Sequence, residues 1–308
     1  MAINTLEFAE KFTGVLDKIL VETTKTGFMV DNAFRAKFVG AKTVKIPNIE
    51  MSALGDYDRD TGFIRGAVTV TNSAYTLTQD RARTFSIDRE DMDETGVAEL
   101  AGSVMSEFVR TKVVPETDAY VLSKLAGIAM NEEKNHVLAL ADYPLNTKAF
   151  AAFLKLEENI RNSGVGEDEE LVCYLPWTVY NSFLSSSEIS KMIRIDDFNQ
   201  GEASFKVRKI NNITLIPVSD KKMYSAYDFF DGVSENETDG GFEKQENASL
   251  ISMIMLPKKG ASLVKKSEKI RIFTPEQNLV ADAYKFDYRI YYDVFVKKSY
   301  LDSIWILK

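Results

Sequence analysis

The sequence from residue 44 to residue 87, VKIPNIEMSALGDYDRDTGFIRGAVTVTNSAYTLTQDRARTFSI, decides the fold. Its beginning is strand-like up to Pro47, and residues 64–77 are rich in Val, Thr and Tyr with partial alternation, which is typical of a strand. A turn-rich connection, GDYDRDTG at residues 55–62, joins the two. The pattern predicts one long two-stranded excursion over residues 44–87, with no helical segment beside it to cover either face.

Such an excursion needs a second surface to lie on. Two strands alone bury too little area to offset the entropy that is lost when they become ordered. Their edges also offer unpaired backbone groups to other chains. We therefore expect residues 44–87 to be held either by the body of the chain or by a neighbouring subunit, which is a first indication of assembly.

The strongest helical pattern follows the excursion. An apolar stripe covers residues 97–108 and resumes at residues 119–129. The acidic cluster at residues 86–95 precedes it and suits a helix N-terminus, where the helix dipole favours negative charge. Pro115 predicts a kink or a new helix start between the two runs, which together would form a long spine.

The N-terminal segment predicts another helix. Apolar residues recur at helical spacing over residues 6–25, and Thr26-Gly27 provides a stop. Acidic residues and lysines interrupt the apolar residues of this segment, so it lacks the continuous apolar core of a signal peptide. The expected location is therefore the cytoplasm.

The second half of the chain mixes helices with strands, which predicts the α+β class. The predicted elements are a helix capped by Thr147 with a stripe from Phe150 through Phe153, Leu154 and Glu157 to Ile160, a strand at residues 171–175, a helix opened by Pro176, a hairpin over residues 207–218 turning at Asn211-Asn212, a buried strand at residues 250–256, a strand at residues 284–296 and a last strand at residues 303–307. The strand at residues 284–296 alternates most clearly, and we expect Asp293 on its polar face.

Composition bounds the function. The 308 residues suggest about two lobes with substantial cores, and 45% hydrophobic with 27% charged residues is typical of an ordered globular protein. A net charge of −8 with a pI near 5.0 argues against tight nucleic-acid binding over the whole surface, so any contact with DNA would be local or weak. No run of apolar residues reaches the length of a membrane span.

The residues of common active sites are sparse. A single histidine, His136, fits a solvated helix end better than a catalytic base, and the single cysteine, Cys173, fits a small buried hydrophobe. The turn at residues 164–166 precedes acidic residues that would repel a phosphate, and the alternating aspartates at residues 56–60 lack the glycine and glutamate of a calcium loop. We therefore predict no catalytic residue, no cofactor and no metal site.

The order of these segments carries a resemblance to a known family. The quoted segments are KIP at residues 45–47, GDYDR at 55–59, YTLTQDR at 75–81, FSID at 85–88, DMDET at 91–95, PETDAY at 115–120, SKLA at 123–126, and the closing strands at 250–256 and 282–296. Their order resembles the tailed-phage major capsid proteins of the Hong Kong 97-like fold, which encapsulin compartments share. The likeness spans roughly the whole chain and rests on order and spacing.

The resemblance implies a division of the chain into named parts. Residues 1–43 would form an N-terminal arm and helix, residues 44–87 an extended loop, and residues 88–142 a peripheral domain that holds the spine helix. Residues 143–266 would form an axial domain, and the strands of residues 267–308 would return to the peripheral domain.

The resemblance also implies the function and the partners. It implies a structural protein, not an enzyme, that assembles into hexamers and pentamers of an icosahedral shell enclosing double-stranded DNA, located in the virion capsid. The loop tip would contact a neighbouring subunit through Leu54, Tyr57, Arg59 and Phe63. A portal and weak, non-specific contact with packaged DNA are expected, and no membrane partner.

Two departures from the family pattern refine this expectation. No lysine lies between Lys45 and Lys112, so we expect no covalent crosslink from the loop tip and a noncovalent shell. The first predicted helix leads almost directly into the loop, so we expect a separate scaffolding protein. The alternatives are an encapsulin-type nanocompartment shell and, with less support from the residues, an α+β enzyme.

Overall fold

The structure is a computed structural model, and it describes residues 15–16, 18–31, 37–39, 42–57, 59–60, 62–90, 97–131, 135–164, 168–185, 193–200, 203–267 and 270–308. Residues 15–16 and 18–23 are helical, and Leu16 and Leu20 are buried, which confirms this part of the predicted N-terminal helix. The start of that helix and the second half of the acidic cluster, residues 91–95, lie outside the described residues.

The fold is α+β, as predicted. The helices are Phe28–Asp31 (α1), Val97–Phe108 (α2), Val114–Ala129 (α3), Leu145–Asn162 (α4) and Trp177–Ser185 (α5), with a π-helical turn at Val109–Val113 and 3₁₀ turns at Asp220–Lys222 and Lys298–Ser303. The strands are Lys37–Phe38 (β1), Thr43–Met51 (β2), Val68–Thr76 (β3), Gln79–Asp88 (β4), Val137–Leu138 (β5), Leu171–Pro176 (β6), Ile193–Gln200 (β7), Ala203–Ile210 (β8), Ile213–Val218 (β9), Tyr227–Phe229 (β10), Phe242–Lys244 (β11), Met253–Pro257 (β12), Ala261–Ser267 (β13), Arg271–Phe273 (β14), Ala283–Val296 (β15) and Trp305–Leu307 (β16).

The predicted spine is one helical path from α2 through the π turn to α3. At 1.5 Å per residue it is about 50 Å long. Pro115 lies in the first turn of α3, where its missing N–H removes a bond to the preceding turn, and the wider π turn lies directly before it. The hydroxyl of Thr117 donates to the carbonyl oxygen of Val113 at 2.8 Å. The prediction of an irregularity at Pro115 is therefore confirmed.

One sheet of the body lies between two apolar cores and contributes side chains to both. Within the described residues, β5-β16-β12-β6-β9-β8-β7 form a seven-stranded sheet. In its central strand β6 all residues are buried, and the side chains alternate between two cores. Cys173 faces the core that α4 and α5 cover, while Tyr174 faces the core of the spine. This two-sided burial explains the continuous apolar run, and it confirms the interpretation of Cys173 as a buried hydrophobe.

The prediction that the excursion covers all of residues 44–87 is wrong for its last part, residues 79–87. β2 and β3 pair with each other, but β4 pairs antiparallel with β15, from Gln79 opposite Tyr292 to Asp88 opposite Ala283. β4 belongs to the body because it pairs with β15 and because its side chains contact the spine. The ring of Phe85 lies 4.8 Å from that of Phe108 on the spine.

Two details of the second half also differ from prediction. The α4 helix begins at Leu145 with Pro144 at the cap position, and its backbone departs from helical geometry at Lys148, where φ is −124° and ψ is 16°. The side chain of Thr147 lies outside the described residues, so its capping role stays a prediction. Phe153 and Ile160 of the predicted stripe are buried, but Leu154 is exposed. His136 is buried, not solvated, because its ring stacks on Trp305 of β16 with the centroids 4.6 Å apart.

The long strand β15 confirms the predicted alternation only in its first half. From Ile290 to Phe295 both faces are buried, and Asp293 has no exposed surface. The expected polar face is wrong here because Val44, Leu77, Val264, Tyr291 and Phe295 form a third, small core on that side of the strand. Two of these residues, Val44 and Leu77, come from the base of the excursion.

Candidate assembly surface

We call residues 43–76, which comprise β2, β3 and their connection, the ribbon. Its strands pair antiparallel from Thr43 opposite Thr76 at the base to Met51 opposite Val68. The pairing continues one step further, since the Ser52 N–H donates to the carbonyl oxygen of Ala67 at 3.0 Å. The paired part is about 30 Å long at the usual rise per strand residue. At the base, β1 adds a short third strand.

The ribbon exposes apolar side chains in its outer part. Val68 and Val70 of β3 are 66% and 59% exposed, and Met51 and Ile64 are also exposed. Thr69 and Thr71, on the opposite face of β3, are exposed as well. Both faces of the outer part of β3 are therefore open to solvent, which is unusual for a strand with β-branched apolar residues.

All four predicted contact residues lie in the connection between β2 and β3, which we call the tip. Leu54, Tyr57, Arg59 and Phe63 are all exposed there. The rings of Tyr57 and Phe63 meet edge to face, with centroids 5.1 Å apart, yet they remain 61% and 89% exposed. The structure thus brings two of the four residues together as an exposed aromatic pair. Their role in subunit contact stays a prediction.

The sequence prediction did not name Val68 and Val70. A signal for them exists, because they alternate with Thr69 and Thr71 in the sequence VTVT. Such alternation normally marks the core face of a strand. It does not show whether the apolar face is covered by the same chain, and in this structure it is not.

The base of the ribbon is fixed to the body by apolar contacts and by backbone bonds. Val44 and Leu77 are buried against Tyr291 and Phe295 of β15, and the ring of Tyr75 lies 4.9 Å from that of Phe295. The Leu77 N–H donates to the carbonyl oxygen of Lys42 at 2.8 Å. The ribbon is thus buried at one end and exposed at the other.

An ion-pair group lies beside this base. Asp80 accepts two bonds from the Arg289 guanidinium, at 2.9 and 3.0 Å, and lies 2.7 Å from the Lys42 ammonium. The hydrogen bond from Arg289 lowers the pKa of Asp80; partial burial opposes this, and Lys42 adds to the lowering. The group connects the residue before β2 to β4 and β15.

Four polar side chains, Thr78, Tyr120, Lys124 and Asp293, form what we call the hinge cluster. The Tyr120 hydroxyl donates to Asp293 Oδ1 at 2.8 Å, and the Lys124 ammonium forms an ion pair with the same oxygen. Burial alone would lower the pKa of Lys124, but the hydrogen bond and charge of Asp293 outweigh it, so that pKa is raised. Burial raises the pKa of Tyr120.

A partly buried ion pair holds a loop against the spine. Arg81 of β4 bonds both oxygens of Glu116, at 2.7 and 3.2 Å, and donates to the carbonyl oxygens of Phe230 and Gly241. Burial raises the pKa of Glu116, although Arg81 opposes the shift. Because the guanidinium occupies both carboxylate oxygens, this carboxylate is a structural partner of the loop at residues 230–241.

The described residues contain no group of three or more His, Cys, Asp or Glu side chains placed to hold a metal ion. Burial raises the pKa of the Cys173 thiol. Among the described helices, none combines the length and the apolar character of a membrane span.

Comparison by sequence and by structure gives different results. No family sequence model matches the chain, and no curated protein matches it by sequence. Among solved structures, a chain from the capsid of cyanophage P-SCSP1u matches with a TM-score of 0.55 and 12% identity, over 88% of this chain and 84% of that one. A chain from the capsid of Staphylococcus phage Andhra matches with a TM-score of 0.55 and 10% identity, over 88% and 81%.

The chain has the phage capsid fold. A virus-like particle from Pyrococcus furiosus shares this capsid fold, with a TM-score of 0.50 and 8% identity over 97% of this chain and 98% of that one. The resemblance drawn from the order of sequence segments is therefore confirmed at the level of the fold. The boundaries of the arm, loop, peripheral and axial parts stay predictions.

Proposed function

We propose that the protein is a structural shell protein, the major capsid protein of a tailed phage, which forms hexamers and pentamers of an icosahedral shell around double-stranded DNA. The observation that carries the proposal is the ribbon, whose base is buried in the body while its apolar outer part is exposed. A surface of this kind is stable in water when another molecule covers it. The phage capsid fold makes a second copy of the chain the natural partner.

The ribbon offers enough apolar surface to contribute to association. Burying a fully exposed Val, Leu or Phe side chain is worth about 1.5–3 kcal/mol. Among the ribbon residues whose side chains the structure describes, the exposed large apolar ones are Met51, Leu54, Tyr57, Phe63, Ile64, Val68 and Val70. Covering several of them at once would offset much of the roughly 4–15 kcal/mol that association costs in lost freedom. Repetition of this contact around a ring of identical copies gives a closed capsomer.

Other partners follow from the same proposal. A separate scaffolding protein and a portal would act during assembly in the host cytoplasm, and the finished protein would be located in the virion capsid. With a net charge of −8, the chain would contact packaged DNA weakly and without sequence preference. Its role is mechanical, and no catalytic step is assigned to it.

Substitutions at the tip test this function. The double variant Leu54→Ser with Phe63→Ser replaces two exposed side chains, so the free energy of unfolding of the unassembled chain should change by less than about 0.5 kcal/mol. We expect shells to disappear or to need a much higher protein concentration. Negative-stain electron microscopy and sedimentation velocity measure this, and thermal unfolding checks the fold.

The matched control is Val233→Ser, which removes an equally exposed apolar side chain outside the ribbon. Shells should form from this variant at the wild-type concentration. If the tip variant also forms shells at that concentration, the ribbon is not the contact that drives assembly, and the proposal loses its main support. Deletion of residues 52–62 is the stronger form of the same test.

A second candidate is the shell of an encapsulin-type compartment that holds protein cargo. The match to the virus-like particle favours it, because that match covers nearly the whole of both chains. Both candidates use the same assembly surface. Nuclease protection and mass spectrometry of particles purified from the native source separate them, because one shell would contain double-stranded DNA and the other a cargo protein.

A further inference from the structure

The ribbon and the body meet at a very short junction. Only Leu77 and Thr78 separate β3, which pairs with β2, from β4, which pairs with β15 along its whole length. The direction in which the ribbon leaves the body is therefore decided at these two residues and at the apolar contacts beneath them.

Apolar contacts alone do not fix a direction. Leu77 packs into the small core with Val44 and Phe295, but hydrophobic attraction is non-directional and permits a strand pair to pivot on its base. Hydrogen bonds depend on the donor–acceptor angle and weaken steeply when they are bent. A directional restraint at the junction must therefore come from polar groups. The ion pair between Lys42 and Asp80 is one such restraint, and the hydrogen bonds of Thr78 are another.

Thr78 makes its bonds to the body through one carboxylate. Its backbone N–H donates to Asp293 Oδ2 at 3.2 Å, and its hydroxyl donates to the same oxygen at 2.9 Å. The hydroxyl oxygen also lies 2.7 Å from that of Tyr120. The backbone N–H and the hydroxyl of Thr78 thus both donate to the Asp293 carboxylate, which is a charged acceptor.

The carboxylate itself is held in place from three sides. Asp293 has no exposed surface and belongs to β15. Its Oδ1 accepts bonds from the Tyr120 hydroxyl and the Lys124 ammonium of the spine, and from the N–H of Val294 at 2.7 Å. A buried charge with this number of partners has one favourable position, since leaving it would leave the charge unpaired.

We propose that the hinge cluster positions the ribbon, with Thr78 as the residue through which the buried Asp293 carboxylate fixes its direction. The body of the chain would be stable without this restraint, because Asp293, Tyr120 and Lys124 keep their mutual bonds when the Thr78 hydroxyl is removed. The use of the restraint rests on the proposed function, in which a ribbon held in advance in the binding direction loses less freedom when a neighbouring copy covers it.

Spin-label distances between the ribbon and the body test the proposal. Thr69→Cys places one label on the exposed outer part of β3, and Ser86→Cys places the other on an exposed position of β4. The native Cys173 is buried and stays unlabelled. Labelled chain is diluted into excess unlabelled chain, so that each distance is measured within one molecule.

Four variants in this labelled background separate the roles. Thr78→Val removes the hydroxyl at nearly constant shape, and the distance distribution should become clearly wider than in wild type. Thr78→Ser keeps the hydroxyl and should keep the narrow distribution, as should the control Thr76→Val, which changes an exposed residue two positions away. Tyr120→Phe removes the second hydroxyl near Thr78 and should also widen the distribution. A wild-type width in Thr78→Val would overturn the proposal.

Shell formation by the same variants keeps this result separate from the proposed function. A hydrogen bond to a charged group is worth about a tenfold change in an equilibrium. Thr78→Val should therefore need roughly tenfold more protein to form shells. A wider distribution with unchanged shell formation would support the hinge and count against the ribbon as the assembly contact. An unchanged distribution with normal shells would overturn the hinge and leave the proposed function intact.

Discussion

β3 and β4 follow each other along the chain with two residues between them, yet one leaves the body and the other joins it. Both are rich in residues that favour strands, and both alternate. The difference lies in the available partners: Phe85 and Arg81 of β4 meet Phe108 and Glu116 of the spine, whereas Val70 of β3 remains exposed. The comparison teaches that a strand-forming pattern alone does not decide whether a strand joins the body. In the proposed function, a second copy of the chain supplies the partner that the outer part of β3 lacks.

The largest expected effect comes from the junction between the two strands. Lys124→Met removes the cation that pairs with the fully buried Asp293, and the uncompensated charge should lower the free energy of unfolding by about 3 kcal/mol or more. Urea denaturation measures this. Lys112→Met, which changes an exposed lysine of the spine, is the control and should leave the midpoint in place. Equal midpoints for both variants would show that the hinge cluster does not stabilise the body.

A matched pair of truncations compares the two strands directly. Phe85→Ala in β4 removes a ring that packs on Phe108 and should cost about 2 kcal/mol of stability. Val70→Thr in β3 keeps the strand-forming shape and should change stability by less than about 0.5 kcal/mol, while it weakens shell formation. Thermal unfolding and light scattering measure the two effects. If Val70→Thr destabilised the unassembled chain as much as Phe85→Ala does, the proposed difference between an exposed β3 and a packed β4 would be contradicted.

A smaller loss of stability is expected when the bond between Arg81 of β4 and Glu116 of the spine is weakened. Arg81→Lys loses the two-pronged bond to Glu116 and the bonds to the loop at residues 230–241, which should cost about 1–2 kcal/mol. Hydrogen exchange of that loop should become faster. Arg83→Lys changes an exposed arginine for which one bond, to the Thr238 carbonyl, is seen among the described residues, and it should change the exchange much less. Equal exchange in both variants would contradict the role given to Arg81.

The smallest effect concerns pH. Because the folded chain lowers the pKa of Asp80, the ionised form contributes stability above its ordinary value of 3.8, and that contribution is lost as the pH falls through the lower folded value. Asp80 is only partly buried, so the contribution should be below about 1 kcal/mol. Asp80→Asn should be less stable than wild type at pH 6, and the two should converge once the pH has fallen through the lowered pKa of Asp80. A gap that persists in strong acid would rule out this ionisation as its cause.

Much of the architecture could be predicted from local pattern. The spine, the irregularity at Pro115, the buried strand β6 and the hairpin that turns at Asn211 all follow from periodicity and from residues with special backbone preferences. Asn211, for example, has a φ of 55°, a conformation that asparagine tolerates better than most residues. The four tip residues were predicted to contact a neighbouring subunit; they are exposed in this structure, and the contact itself stays a prediction.

The errors concern residues whose environment is made by distant parts of the chain. Asp293 alternates correctly for a polar face, but Val44 and Leu77 cover that face from about 215 to 250 positions earlier in the sequence, a separation that periodicity does not register. His136 is polar and follows a helix, yet Trp305 stacks on it from the last strand. The sequence of β4 has a strand-forming pattern like that of β3, and only the tertiary structure shows that β4 pairs with β15.

The sequence by itself determined the longer helices and several of the strands, that the chain is α+β, and that the stretch after residue 43 has strand-forming apolar residues with nothing nearby to cover them. These are local properties, set by side-chain periodicity and backbone preference. Only the tertiary structure decided where the ribbon ends, which acidic residue is buried beneath it, and that Thr78 joins the two. Those outcomes depend on which distant strands meet, and that is set by the packing of the whole chain.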